Sequence, residues 1–376
     1  MISLLFLIER LALIGAGLGG IALLIFLHEL GHFLFCKLFN VYTPTFSIGF
    51  GPVLWSKKIG TTNFTLSAIP LGGYVEIAGM NGDETSHAAA DHEKPFSDKP
   101  YYQKLLILLG GILFNILFAF KVAILAYLVG APGSPILYPE TATTTIARVL
   151  PDTVAAQQDM RAGDVITAFN DIPLTDRAEP LIMHLKTTES SVTIMFERDG
   201  KEYTTEPITV IPGKPFGIVL ETKSLAPVLL ADAIIRGWQT TMRWLKDTGT
   251  GLLHILRKAD LSSAGGPVKI ISMISQSAAD GLLTYLLFLA IISINLALFN
   301  LIPVPILDGG QLLLATIETI MQRTLPLKIR EYIFIGTWIL FLMLILFLSF
   351  NDIAHIAGPY FQSVKQCMVL SSGAGE

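Results

Sequence analysis

Apolar residues gather in four long runs along this chain, and the polar residues fall between them. Residues 11 to 27 read LALIGAGLGGIALLIFL without a charge, and the apolar character resumes after His32. Further runs cover residues 105 to 130, 282 to 301 and 331 to 350. A hydrocarbon core of roughly 30 Å takes about 20 helical residues, so each run is long enough for a membrane-crossing helix. The first is expected over residues 8 to 36, with Glu9 and Arg10 near its outer end. It has neither the basic flank nor the small-residue cleavage site of an export signal, and is read as a retained span. In the second run Gly110, Gly111 and Asn115 suit close helix packing, with small residues letting backbones approach and an amide reaching across. Lys121 in that run is read as snorkelling.

The stretches between the runs differ in kind. Residues 41 to 79 are rich in Gly, Thr, Phe and Pro. The alternation at 62 to 66 and 74 to 77 predicts short strands, with Gly49, Gly51, Gly72 and Gly73 at turns or close backbone approaches. A β segment beside a membrane helix must satisfy its own backbone, so a hairpin or small sheet dipping towards the bilayer is expected; a plain surface loop is the alternative. Residues 80 to 100 are polar, and His87 and His92 there are read as solvated. Residues 131 to 225 form one soluble domain. Strands are expected at 144 to 150, 164 to 169, 192 to 197, 203 to 210 and 216 to 220, with short helices at 155 to 160 and 177 to 186. Asp199-Gly200 supplies a hairpin turn. Residues 226 to 260 read as an amphipathic helix for the membrane interface, carrying Ile234, Ile235, Trp238, Met242, Trp244 and Leu245 among Arg236, Arg243, Lys246 and Arg257. The resulting division is 1–40, 41–100, 101–130, 131–225, 226–280 and 281–376.

Composition supports this division. Of 376 residues, 52% are hydrophobic and 15% charged, the balance of a multi-span membrane protein with a modest soluble part. The net charge of −4 and the lack of a basic stripe with interleaved aromatics argue against a nucleic-acid partner. Two cysteines, Cys36 and Cys367, suggest no disulfide framework. Lys37, Lys57, Lys58, Lys94, Lys99 and Lys104 lie between the first two runs; Arg323, Lys328 and Arg330 lie between the last two. An even number of crossings separates these loops, and the positive-inside rule makes both cytoplasmic. Both termini and the soluble domain then face outward.

The candidate chemistry sits in the first run, as His28-Glu29-Leu30-Gly31-His32. Residues four apart share a helix face, so both imidazoles can point at one ion with Glu29 beside it. That pattern suits zinc, with an open position for a water and Glu29 as general base. Ionisable groups at membrane depth are costly and are kept mostly for ions, relays or substrate paths; the alternatives are a chance match or a structural His pair. Two histidines leave a third ligand to find. Asp308 follows the third run on the same expected side as His32, after Pro303 and Pro305 and before Gly309-Gly310. Its alternative role is the N-cap of the next helix.

These residues resemble the site-2 protease family of intramembrane zinc metalloproteases, in particular its bacterial regulator-of-sigma-E branch. The resemblance rests on His28–His32, on Asn300-Leu301-Ile302-Pro303-Val304-Pro305-Ile306-Leu307-Asp308-Gly309-Gly310, and on Phe50-Gly51-Pro52, Pro70-Leu71-Gly72-Gly73-Tyr74-Val75 and Gly110-Gly111. It implies zinc held by His28, His32 and Asp308, Glu29 as the base, Asn300 near the substrate, and a membrane-entering β-hairpin in 41 to 79. A free edge of that hairpin can accept a substrate as an added strand, which makes Gly49, Gly51, Gly72 and Gly73 candidate substrate-binding residues. Residues 131 to 225, with Arg161 to Ile166 ahead of Phe169-Asn170-Asp171, resemble a bacterial PDZ domain, a binder of chain termini or extended peptides.

The expected architecture is therefore an α-helical membrane protein with four transmembrane helices, a membrane-associated β-hairpin and one inserted PDZ-like α+β domain. The expected activity is a zinc endopeptidase of the bacterial inner membrane. It would cut single-span membrane proteins, anti-sigma-factor-like proteins or remnant signal peptides, within or near their spans. A scaffold without activity and an ion transporter are the rivals. Intact Glu29 counts against the first, and the lack of a polar path through several spans against the second.

Overall fold

The computed structural model describes residues 2–80, 94–131, 133, 138, 141–150, 153–175, 178, 180–182, 190–210, 216–258, 266–323 and 325–372. His87 and His92 lie outside them. In chain order the elements begin with α1 (Ile2–Leu38), β1 (Thr45–Ile59), β2 (Thr62–Val75), α2 (Tyr101–Val129), β3 (Ala142–Val149), α3 (Val154–Gln157), β4 (Val165–Phe169) and β5 (Ile172–Pro173). They continue with β6 (Ser190–Val192), β7 (Ile194–Arg198), β8 (Lys201–Thr204), β9 (Ile208–Val210), β10 (Ile218–Thr222) and α4 (Leu230–Lys258). The chain ends in α5 (Pro267–Ala279), α6 (Leu282–Asn300), α7 (Asp308–Met321) and α8 (Leu327–Ser372). Two compact units result: residues 1–122 with 248–376, and residues 123–247.

Among its described residues the first unit is helical apart from its hairpin and an isolated bridge between Val41 and Lys94. Four helices among the described residues are long and apolar enough to cross a membrane, at Leu7–Leu38, Tyr101–Val129, Leu282–Asn300 and Lys328–Phe350, close to the four expected runs. Only helices and closed barrels keep every backbone group paired in hydrocarbon, which is why these runs fold as helices. Two helices escape the hydropathy pattern: α5, packed along α1, and α7, which starts at Asp308. α1 and α2 meet backbone to backbone. A Cβ on Gly31 would run into the Gly110 carbonyl, and one on Gly110 into that of Gly31. Such contact between small residues replaces the hydrophobic driving force that lipid does not supply.

The hairpin is longer than the alternation suggested. Its turn is at Gly60-Thr61, and Gly49 and Gly51, at φ of +87° and +86°, are bulges inside β1 rather than its ends. Gly72 is needed because a Cβ there would enter the Phe50 ring. Thr45–Ile48 has neighbours on both sides, Asn63–Leu66 and Gly73–Val75, while Val53–Ile59 pairs with Thr62–Ser67. Gly73–Val75 is therefore one edge of the ribbon. Phe46 and Phe64 pack edge-on against Phe33 with centroids 5.4 and 5.5 Å away, which fixes the base of the hairpin to α1. Val53, Leu54, Trp55 and Ile59, towards the turn, are exposed.

In the second unit the sheet order is β10-β3-β4-β7-β8, with β5 on β4 and a separate β6-β9 pair. The core is Ile146, Met160, Ile166, Phe169, Leu181, Val192, Ile194, Phe196 and Leu220 with their smaller neighbours. The single strand expected at 203 to 210 is two strands. β8 pairs with β7 and β9 with β6, and Pro207 between them has no N–H for a ladder. The strand expected at 192 to 197 also breaks, at Thr193, whose N–H is taken by the Asn170 side chain at 2.8 Å. α4 has two faces. Ala233, Gly237, Thr240, Thr241 and Trp244 are buried, and Ile234, Ile235 and Trp238 are exposed. Trp244, expected at the membrane interface, belongs to the inner face beside Tyr138, because Gly237 lets α4 approach α2 at Ile124.

Candidate active site

α1 puts His28 and His32 on one face, one turn apart, with ring centroids 4.8 Å apart. Both are buried, at 7% and 5% exposure, although they lie in a membrane helix. Their Nε2 atoms face each other at 3.2 Å. The carboxylate of Asp308, 276 residues further on, enters from α7 with Oδ2 3.1 Å from His28 Nε2 and 3.4 Å from His32 Nε2.

The loop between α6 and α7 brings Asp308 there. α6 ends at Asn300, and Pro303 and Pro305 keep the helix from continuing. Gly309 and Gly310 press against the Leu301 and Val304 carbonyls, where a Cβ has no room. Gln311 ties the loop by donating from Nε2 to the Pro305 carbonyl at 2.6 Å. Asp308 is the first residue of α7, and its N-cap position is held by Leu307. The capping role weighed for Asp308 therefore falls to another residue, which leaves its carboxylate to the histidines.

α2 closes the other side. His32 Nδ1 donates to the Ile107 carbonyl at 2.8 Å, and Asn115 lies 3.1 Å from His28 Nδ1. Gly111 fills the space between, since a Cβ there would stand 2.5 Å from His32 Nε2 and 2.6 Å from His28 Cε1. Glu29 reaches the hairpin, where its Oε2 accepts the Val75 N–H at 3.0 Å. Asn300 Nδ2 is 3.3 Å from His28 Nε2. Of the four glycines, Gly73 lies beside Ile25 and Glu29, Gly72 beside Phe50, and Gly49 and Gly51 beside Ile69.

Three atoms able to ligate a metal ion thus converge, and Asp308 Oδ2 is buried without a hydrogen-bond partner. With both imidazoles bare at Nε2, as a metal requires, the three would repel one another, and a cation resolves that. Zinc bound tetrahedrally at about 2.0–2.1 Å from N and O ligands sets its ligand atoms about 3.3 Å apart. The three separations here, 3.1, 3.2 and 3.4 Å, match that edge. The Ile107 carbonyl, the Val75 N–H and Gly111 were not legible as site groups, because a backbone atom or a missing side chain leaves no chemical mark in a sequence.

Comparison with known proteins agrees with this geometry. The model of "Peptidase family M50" matches residues 16–345. "Putative zinc metalloprotease Cj1068" of Campylobacter jejuni is 31% identical over 351 residues, covering 90% of this chain and 92% of the relative. A "Putative zinc metalloprotease" of Helicobacter pylori strain J99 is 30% identical over 359 residues, covering 89% and 97%. "Putative zinc metalloprotease CPE1693" of Clostridium perfringens is 29% identical over 334 residues, covering 88% and 95%. With a match over most of its length and a zinc-compatible cluster between membrane helices, this chain belongs to peptidase family M50, the site-2 protease family, and is a multi-pass zinc metalloprotease.

Proposed function

We propose that the chain is an intramembrane endopeptidase that cuts single-span membrane proteins within or beside their transmembrane segment. His28, His32 and Asp308 would hold the zinc, and Glu29 would be the general base. The single observation that carries this is the buried Asp308 oxygen 3.1 and 3.4 Å from two imidazole nitrogens on an apolar, membrane-length helix. Bound there, zinc would polarise the scissile carbonyl and acidify a water. Glu29, one residue from His28 and half-buried beside the edge of β2, would take the proton from that water and deliver it to the leaving amine. Asn300, with its amide beside His28 Nε2, is in reach of a substrate carbonyl.

A helical substrate hides its peptide bonds, so it must unwind locally before cleavage. The Gly73–Val75 edge gives the unwound segment a strand to pair with, which offsets its broken hydrogen bonds. Gly72 and Gly73, at and next to that edge, lie closest to the docked strand; Gly49 and Gly51 act further out by bending β1. The exposed apolar residues near the hairpin turn, Val53, Leu54, Trp55 and Ile59, suit immersion in lipid. Residues 131–225 act as a PDZ-like domain that takes a peptide or chain terminus, with β10 and β8 at the two ends of the described sheet as candidate edges. By the basic short loops the metal centre opens to the cytoplasmic side of a bacterial inner membrane and the PDZ-like domain lies outside. The resemblance to the site-2 protease family suggests as substrates anti-sigma-factor-like proteins trimmed on the outside, or remnant signal peptides.

Zinc analysis combined with Glu29→Gln tests the assignment on a model single-span substrate. The variant is expected to keep its zinc and lose cleavage by at least about a hundredfold. Cleavage at the wild-type rate by Glu29→Gln overturns it.

A further inference from the structure

We infer that Asn115 is the positioning residue of the metal centre: its side-chain oxygen, not its NH2 group, faces His28 and holds the ring with Nδ1–H outward and Nε2 bare. The inference rests on the zinc site proposed above.

The two histidines are anchored differently. His32 Nδ1 meets the Ile107 backbone carbonyl at 2.8 Å. A carbonyl only accepts, so Nδ1 carries the proton and Nε2 is left with its lone pair. His28 needs the same state, and its outer nitrogen meets a side-chain amide, with Asn115 Nδ2 placed 3.1 Å away. In that placement the NH2 group donates to His28 Nδ1, which puts the ring's proton on Nε2, the atom a metal must take.

Two observations favour the opposite amide orientation. Asn115 is fully buried, and its Oδ1 has no hydrogen-bond partner. The NH2 group of Asn300 also reaches His28, 3.3 Å from Nε2. A neutral imidazole has one acceptor nitrogen and cannot receive both amides. Oxygen and nitrogen of an amide have the same shape, so a half-turn of the side chain costs no space. It turns Oδ1 to His28 Nδ1–H, ends the isolation of Oδ1, and frees Nε2 to face His32 and Asp308. The position of Asn115 is itself fixed, because Ser293 on α6 donates from Oγ to its backbone carbonyl at 3.0 Å. Orienting partners of this kind set the tautomer and ring angle of a ligating histidine, and losing one typically lowers metal affinity 10- to 100-fold.

Full-length Asn115→Asp and Asn115→Leu proteins in detergent separate the possibilities. Both keep the shape; Asp keeps an accepting oxygen and has no NH2, and Leu has neither. Zinc retention is read by titration with a chelator of known affinity, and kcat and KM are read on the model substrate. Asn115→Asp is expected to hold zinc within a few-fold of wild type. Asn115→Leu is expected to hold it 10- to 100-fold more weakly, with kcat reduced, KM unchanged, and cleavage partly restored by added zinc. Wild-type zinc retention by Asn115→Leu, or a loss in Asn115→Asp as large as in Asn115→Leu, overturns the inference. If Asn115→Leu does not fold, Asn115→Asp decides alone, because a variant without NH2 that loses its zinc rules out an acceptor role. A wild-type protein that holds no zinc against the chelator overturns the zinc-site reading itself, a result distinct from either variant outcome.

Discussion

A single hydrogen atom stands where residue 111 could have carried a methyl group, and both imidazoles lie against it. Gly111→Ala would set a carbon 2.5 Å from His32 Nε2 and 2.6 Å from His28 Cε1. Alanine favours a helix over glycine by about 1 kcal/mol, so α2 itself does not suffer. The expected outcome is a protein of wild-type helix content, by circular dichroism, with cleavage and zinc retention each down by roughly tenfold or more. At the same scale in the second unit, Asp164 is 1% exposed and is held by Arg198 through Nε and Nη2, both at 2.7 Å, and by the Arg161 N–H at 2.8 Å. Arg198→Met strands that carboxylate and should cost on the order of 3 kcal/mol, seen as earlier thermal unfolding or faster proteolysis of residues 123–247. The exposed Asp159 is held below the usual carboxylate range, first by its hydrogen bond from Arg161 and then by Arg198. A lowered folded pKa gives stability that is complete above the ordinary carboxylate value and fades as pH falls through the lower one. Asp159→Asn should therefore lower stability slightly at neutral pH and leave it unchanged below the lowered pKa, so the acid limb of the unfolding profile flattens.

At the scale of elements, the hairpin and α1 share one hydrogen bond that bears on the chemistry, from the Val75 N–H to Glu29. Proline at 75 removes that donor, while alanine keeps it. Val75→Pro should lower kcat by about tenfold or more at unchanged zinc content, and Val75→Ala should stay near wild type; single-turnover cleavage checks both. Long apolar runs gave the membrane-length segments of α1, α2, α6 and α8 within a few residues, since hydropathy over about 20 positions outweighs any local signal, while α8 itself continues to Ser372, well past the expected run. α5 and α7 were not legible, being 13 and 14 residues long and only partly apolar. The glycines were read as turns or close backbone approaches: Gly49 does lie against the Ser67 and Ile69 carbonyls, but neither Gly49 nor Gly51 is a turn, and they bend a strand whose pairing continues past them. Trp244 was placed at the lipid surface because an amphipathic pattern does not say which apolar stripe faces protein and which faces lipid.

At the scale of the whole molecule, the proposed topology has a direct check. With Cys36 and Cys367 replaced, Asp199→Cys in the second unit should react with a membrane-impermeant thiol reagent added to intact cells, and Lys328→Cys in the first turn of α8 should react only after lysis. Equal labelling of both positions contradicts the assigned sides. The sequence alone determined the four helices long and apolar enough to cross a membrane, the separate β-rich region between the second and third of them, the H-E-x-x-H pair and the identity of Asp308 as its distant partner. Each of these is written in side-chain type and spacing: hydropathy sets what lies in lipid, a four-residue interval sets what shares a helix face, and a charged residue at such depth needs a reason. The tertiary structure decided what surrounds them. The Ile107 carbonyl on His32, the Val75 amide on Glu29, the Gly31–Gly110 contact and the space kept by Gly111 are backbone atoms and absent side chains. Only the packing of α1, α2 and the hairpin brings these to the site, because a main-chain group is chemically the same at every residue and becomes specific through position alone.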